Sequence, residues 1–145
     1  SALNDYERAA LLLIDDVEIE GNYVQKQGRS NLLDHPFLND LQSSLFQPPD
    51  PDSITRKELR ELVRKGYVID QNGIFFSAAA ITEATKIISS LLIEKPEGVT
   101  VAEIRIALNT SRKYALPLLN HLDEIGVTIR RDSVRIAGKR LNENI

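Results

Sequence analysis

The stretch "NTSRKYALPLLNHLDEIGVTIRRDSVRI", residues 109–136, gathers the side chains of this chain best suited to chemistry. Arg112 and Lys113 stand together just after Ser111, where a segment of helical period begins. Arg130, Arg131 and Arg135 bracket the tip of a hairpin pattern that follows. A helix start carries partial positive charge and favours Asp or Glu. Two cations there, with no acid on their own helix before Asp123, suit an anion held nearby. The hairpin arginines have only Asp132 to offset them. By contrast, Arg56, Lys57, Arg60, Arg64 and Lys65 alternate with Glu58 and Glu61 at i,i+3 and i,i+4 spacing, the pattern of an ordinary solvated helix face.

Sets of residues for bond-making chemistry are not found. Neither GxGxxG nor GxxxxGK[ST] occurs. The two histidines, His35 and His121, are too few and too far apart for a metal set, and there is no cysteine. Asp15 and Asp16 are adjacent, and side chains of neighbouring residues on a strand or loop diverge, which does not suit general acid–base work. No catalytic residue, metal ligand or cofactor is expected in this stretch of chain. There is no signal peptide pattern and no apolar run long enough to span a bilayer.

Charge is unevenly spread. The 145 residues carry a net charge of -3, yet from Arg105 onward eight Lys or Arg face four Asp or Glu, whereas the first 104 residues hold ten bases and seventeen acids. A basic end on an acidic body is a directional footprint for a polyanion.

The elements that would position these residues can be read from periodicity. "AAITEATKIISSLLIEK" puts Ile81, Ala84, Ile87, Ile88, Leu91 and Leu92 on one helical face, with Thr82 as an early cap and Pro96 and Gly98 as breakers. Thr100 and Glu103 form a capping-box pattern for a short second helix. Thr110 or Ser111 caps the third, which carries Tyr114, Ala115, Leu118, Leu119, Leu122 and Ile125 and stops at Gly126. Pro117 inside it predicts a bend. The period then changes to two through "VTIRR" and "SVRI" around Asp132-Ser133. Helix, helix, helix and hairpin in that order predict a winged helix.

The preceding segment reads as a reduced copy. Phe37, Leu41 and Leu45 share a helix face within residues 32–46, "QPPDPD" is a rigid turn, and residues 53–66 form a capped helix ended by Gly66. "YVIDQNGIFFS" is a hairpin with Asn72-Gly73 in a type I' turn. "LRELVRKGYVIDQNGIFF" and "LNHLDEIGVTIRRDSVRI" share one plan of helix, Gly, strand, turn and strand. The expected fold class is mainly α with small β-hairpins, as tandem winged-helix domains: a reduced one over 32–78, a C-terminal one over 79–138, and a tail over 139–145. Residues 1–31 read as the tail of a preceding winged helix or a linker. The two domains are expected to have separate cores and to join near Ser77 to Ala80 with almost no linker.

"TSRKYALPLLNHLDEIGVT" with "RRDSVRI" resembles the last winged-helix domain of the bacterial selenocysteine-specific translation elongation factor family, SelB. The resemblance is carried by Ser111, Arg112, Lys113, Tyr114, Ala115, Leu118, Leu119, Asp123, Gly126, Val127 and Thr128. "TVAEIRIAL" matches the family's pattern with Arg105 at its Arg. "PFLNDLQSSLFQPPDPD" is similar to a looser Pro-Pro stretch of the preceding domain. This chain departs at Ile129, where the family has Arg, and at Asp132, where it has Gly.

The resemblance implies an RNA-binding module that recognises the selenocysteine insertion (SECIS) hairpin downstream of a UGA codon and tethers the factor for selenocysteine incorporation. The implied contact set is Arg105, Thr110, Ser111, Arg112, Lys113, Arg130, Arg131 and Arg135, expected to form one continuous basic face. GTP and Mg would belong only to a GTPase domain upstream. The ribosome and selenocysteinyl-tRNA would be partners through the parent factor. A cytoplasmic monomer with no membrane association is expected. The alternatives are a winged-helix DNA-binding transcription regulator, with helix 111–125 in a major groove, and a protein-interaction winged helix with an incidental basic edge.

Overall fold

The computed structural model describes residues 32–144. The reading of residues 1–31 lies outside them. Eleven elements follow one another from Pro36: α1 (Pro36–Ser44), α2 (Arg56–Arg64), β1 (Val68–Gln71), β2 (Ile74–Ser77), α3 (Ala78–Glu94), β3 (Val99–Thr100), α4 (Val101–Leu108), α5 (Arg112–Glu124), β4 (Thr128–Arg131), β5 (Val134–Ala137) and α6 (Lys139–Asn144). The fold is mainly α with small antiparallel sheets, and each half contains a helix followed by a hairpin.

Local chemistry sets the helix starts. Thr55 and Glu58 close a reciprocal capping box on α2, and Thr100 and Glu103 close another on α4. In α4 the Thr100 N–H donates to the Glu103 carboxylate at 2.8 Å, and Lys95 donates to the same group at 2.9 Å. Together they hold the pKa of Glu103 below the ordinary carboxylate value. The start of α3 differs from the sequence expectation. Its cap is Ser77, whose hydroxyl accepts from the Ala80 N–H at 3.1 Å, while Thr82 sits inside the helix and donates back to the Ala78 carbonyl.

The turn at Asn72-Gly73 has φ of +54° and +85°, as a type I' turn requires. The two hairpins share a register sixty residues apart. Val68 pairs with Ser77 and Asp70 with Phe75; Thr128 pairs with Ala137 and Arg130 with Arg135. In the second half, β3 adds a short strand to the wing, so the sheet order is β3-β5-β4. Two residues are too few to show a period, which is why the sequence reading gave a two-stranded wing.

Apolar packing crosses from one half to the other. Pro36–Ile145 is one compact unit, and one apolar cluster runs from Phe46 and Phe76 through Ala80, Ala84 and Ile88 to Ile104, Leu118, Leu122 and Leu141. The cause is the absence of any linker. β2 ends at Ser77 and α3 begins at Ala78, so Phe76 enters the core one turn from Ala80. The proline-rich turn replaces a middle helix in the first half, and α3 packs against both α1 and β2 as well as α4, α5 and β5. Polar ties reinforce the union. The Gln47 side chain donates to the Asn109 carbonyl at 2.7 Å, and the Thr110 hydroxyl donates to the Phe46 carbonyl at 2.6 Å.

Residues 139–145 are not simply a tail. Lys139–Asn144 is helical, and Leu141 is buried in the core. The Gly138 N–H donates to the Val127 carbonyl and the Arg140 N–H to the Gly126 carbonyl, laying the segment against the base of the wing. A Cβ at Gly138 would stand 2.8 Å from the Val127 carbonyl carbon. Two apolar residues after "AG", Leu141 and Ile145, are too few to establish a helical period.

Because the core is shared, Phe76→Ala should cost about 3–5 kcal/mol and lower the protection of both halves together in residue-resolved hydrogen exchange. Loss confined to residues 36–77 would show that the halves unfold independently. Gly138→Ala should cost about 1–3 kcal/mol, read as a lower urea midpoint, because the Cβ meets backbone rather than a yielding side chain.

Candidate nucleic-acid interface

α5 presents a row at Arg112, Leu116 and Asn120, spaced four residues apart along one side of the helix. Opposite stand Arg130, Asp132, Ser133 and Arg135 of the wing, and Thr100, Val101 and Ala102 at the start of α4 close the end. Between them lies a groove of about 330 Å³. Its chemistry is mixed, with guanidinium groups, an amide and hydroxyls set around the aliphatic side chains of Val101 and Leu116.

The N-terminus of α5 is open. Ser111 stands at the cap position, and its carbonyl accepts from Tyr114 and Ala115, but its side chain makes no capping bond. The hydroxyl of Thr110 is committed to Phe46 instead. The expected hydroxyl cap is therefore not formed, and the first N–H groups of α5 keep their capacity to donate to an anion. α5 runs unbroken from Arg112 to Glu124 through Pro117, whose missing N–H leaves the Lys113 carbonyl without its usual helical donor.

The predicted residues do not form one continuous face. Arg112, Arg130 and Arg135 meet in the groove. Strand alternation sends Arg131, with Ile129, to the other face of the wing from Arg130 and Arg135. Lys113 is exposed beside Arg112 and lies over the Tyr114 ring, 5.2 Å from its centre. Arg105, Thr110 and Ser111 lie outside the groove lining.

Arg135 is the largest departure. It was expected to project from the hairpin, yet it is only 3% exposed. Asp123 explains the burial. Its carboxylate accepts from Arg135 Nε at 3.2 and 3.3 Å and pairs with Nη2 at 3.0 Å, and it also accepts from the Thr128 hydroxyl at 2.6 Å. Sequence reasoning missed Asn120, Leu116, Ser133 and Asp123. The first two follow from Arg112 by helical steps of four, and so were open to inference.

Asp132 turns the wing with φ of +55°. Glycine adopts this left-handed conformation freely, and Asp is tolerated there. A larger groove, about 630 Å³, lies in the first half among Pro51, Ile54, Leu59, Val63 and Phe75, with Arg56 and Arg60 on its rim. Its floor is apolar, and the smaller C-terminal groove holds more of the cations.

Residues 90–137 match the family model described as elongation factor SelB, winged helix. Over this segment the chain is similar to a SelB winged helix. The segment includes α4, α5 and the whole wing, and so every residue of the groove. Among solved structures, the mRNA-binding domain of elongation factor SelB from E. coli, in complex with SECIS RNA, is similar at 24% identity and a TM-score of 0.51. That match covers 58% of this chain and 69% of the other. A bacterial selenocysteine-specific elongation factor, EF-Sec, is similar at 20% identity and a TM-score of 0.62, covering 77% of this chain and 20% of that one. At these identities the solved structures share a winged-helix fold with this chain, which spans a fifth of the EF-Sec length. No curated relative matches by sequence. Among the described residues no cluster of three metal-ligating side chains occurs, and no helix is long and apolar enough to cross a membrane.

Two measurements follow. Asp132→Gly should leave stability within about 1 kcal/mol of the parent, since relief of the left-handed turn opposes added chain entropy, and should tighten polyanion binding by removing a negative charge from the groove. Weaker binding would show that the carboxylate helps to hold the ligand. His121 is half-buried, and burial lowers its pKa from the ordinary 6.5; Arg140 acts in the same direction against Glu124. The fold therefore prefers the neutral ring, and the unfolded chain takes up the proton first. Stability should be full above pH 6.5 and decline as pH falls below it toward the folded-state value. Urea unfolding of His121→Gln should lose that part of the slope.

Proposed function

We propose that this chain is the mRNA-binding end of a SelB-type factor. Its C-terminal winged helix would hold the SECIS hairpin downstream of a UGA codon and keep the factor there for selenocysteine incorporation. The observation that carries this reading is the coincidence of two things within residues 90–137. The SelB winged-helix match and the groove that collects Arg112, Arg130 and Arg135 beside an uncapped helix start fall on the same residues.

The chemistry suits a folded RNA. A phosphate at the α5 start would meet free N–H donors, the helix dipole, Arg112 and Lys113 together, and would offset the repulsion those cations suffer alone. Sequence in RNA is read mainly where bases are unstacked. The groove offers the aliphatic side chains of Val101 and Leu116 to a base and the guanidinium groups of Arg112 and Arg130 to the backbone. The module binds rather than catalyses. GTP hydrolysis, the ribosome and selenocysteinyl-tRNA would be served by other parts of the factor, which would work as a cytoplasmic monomer.

Fluorescence anisotropy of a UGA-downstream hairpin, a scrambled hairpin and duplex DNA tests this reading. Preference for the first is expected; equal or tighter binding of duplex DNA would favour a transcription regulator. Arg112→Ala or Lys113→Ala should weaken hairpin binding by about 1–3 kcal/mol, and Lys57→Ala should change it little. With about four phosphates neutralised, the log–log salt slope should be roughly -3. Equal losses from Lys57→Ala and Lys113→Ala would mean that a diffuse cationic surface, not the groove, holds the RNA.

A further inference from the structure

The groove of the first half, about 630 Å³, lies between a helix and a hairpin as the basic groove does, yet its chemistry differs. α2 forms one wall. Arg56, Leu59, Arg60 and Val63 recur at helical spacing and so share one side of that helix. The facing wall is the first hairpin, where Asp70 and Phe75 are cross-strand partners and share a face. Ile54 completes the apolar lining. Ile54, Leu59, Val63 and Phe75 are only half-buried, which leaves apolar surface open to a ligand.

Three features disfavour RNA here. The start of α2 is closed by its capping box. The Thr55 hydroxyl accepts from the Glu58 N–H at 3.1 Å, and the Glu58 carboxylate accepts from the Thr55 N–H at 3.2 Å. A carboxylate thus stands where a phosphate would bind a helix start. Asp70 brings a second carboxylate to the groove, fixed by the Gly73 N–H at 3.0 Å. Residues 36–77 hold six acids and five bases, so no excess of cations gathers a polyanion.

The groove instead joins an apolar floor to a local cationic rim. Arg64 and Lys65 are paired with Glu61. Arg56 and Arg60 are exposed, and among the described residues neither makes an ion pair. They stand about one helical turn apart. Each guanidinium can take a carboxylate through two parallel N–H···O bonds. The volume is that of a site for a few large side chains.

We propose that this groove docks an acidic, amphipathic segment of a partner protein. An aromatic or leucine side chain of the partner lies on the apolar floor, and flanking carboxylates meet Arg56 and Arg60. The proposal stands apart from the RNA-hairpin reading, because neither arginine lies in the basic groove. The two halves thus address different macromolecules through the same helix-and-hairpin plan.

The test follows the isotope-labelled whole chain by NMR as synthetic peptides are added. The probe is a short peptide with Phe and Leu one helical turn apart, flanked by Glu. One control replaces every Glu by Gln, and another replaces both apolar anchors by Ala. The acidic probe should shift the amide signals of Leu59, Arg60, Val63 and Phe75 and leave those of Arg112 and Arg130 in place. Each control should bind roughly tenfold more weakly. Arg56→Glu with Arg60→Glu, at two exposed positions, should weaken the acidic probe by roughly tenfold or more and should bind a probe in which Lys replaces Glu. Leu59→Ala should weaken both probes. The charge-reversed variant should bind the UGA-downstream hairpin as the parent does. Absence of groove shifts with the acidic probe at millimolar concentration would overturn the proposal. So would equal affinity for the Gln control, no loss in the charge-reversed variant, or a single-stranded RNA that shifts the groove signals where the peptide does not. Failure of the hairpin to bind the parent would count against the RNA-hairpin reading alone.

Discussion

Ser77 imposes the constraint from which the rest of the arrangement follows. It is the last residue of β2 and the cap of α3, with its side chain buried and bonded to Ala80. No residue is left to act as a hinge. The strand must run straight into the helix, Phe76 must enter the core beside Ala80, and α3 must serve as a wall for both halves. A two-domain arrangement with independent cores would need at least a short flexible connection here.

The union bears on the basic site. The turn at Asn109-Thr110 sets where α5 begins, and both residues are tied to the segment after α1, through Gln47 and Phe46. The first half thus helps to hold the helix start that carries Arg112 and Lys113. Its own cations are spent differently. Arg64 and Lys65 pair with Glu61, which the neighbouring guanidinium holds below the usual carboxylate pKa. The two helices share a plan, but only one presents unpaired cations at an open start.

How much of this was legible in the sequence depended on the range of the interaction. Capping boxes act over three residues, and Thr100-Glu103 was readable for that reason, as was a capped helix within residues 53–66. So were the stops at Gly66 and Gly126 and the turn at Asn72-Gly73, because left-handed backbone selects its residues. The likeness of residues 90–137 to a SelB winged helix was legible through the motif around Arg112. The apolar cluster that crosses the two halves was not, because it joins Phe46 to Leu118 across more than seventy positions with no local trace. α6 was missed because one leucine makes no period. Arg135 was placed on the surface because charge suggests exposure, and its partner Asp123 lies on another element. The separation of Arg130 from Arg131, by contrast, is carried by the two-residue turn: it puts Arg130 opposite Arg135 and sends Arg131 to the other face.

Comparison of the two halves separates what the scaffold needs from what the site adds. The shared register, glycine stops and hairpin turns recur sixty residues apart and are sufficient to fold a helix onto a wing. Superimposed on this plan, the first half has an apolar floor of Val63 and Phe75 in an open groove, and the second has Asp123 and Arg135 in a tighter one. An apolar floor accepts a flat ring without regard to its edge. A guanidinium held by a carboxylate imposes a requirement for acceptors, and it does so more sharply because burial removes competing water. The same burial makes a wrong ligand costly, since donors deprived of both water and acceptor lose their hydrogen bonds altogether.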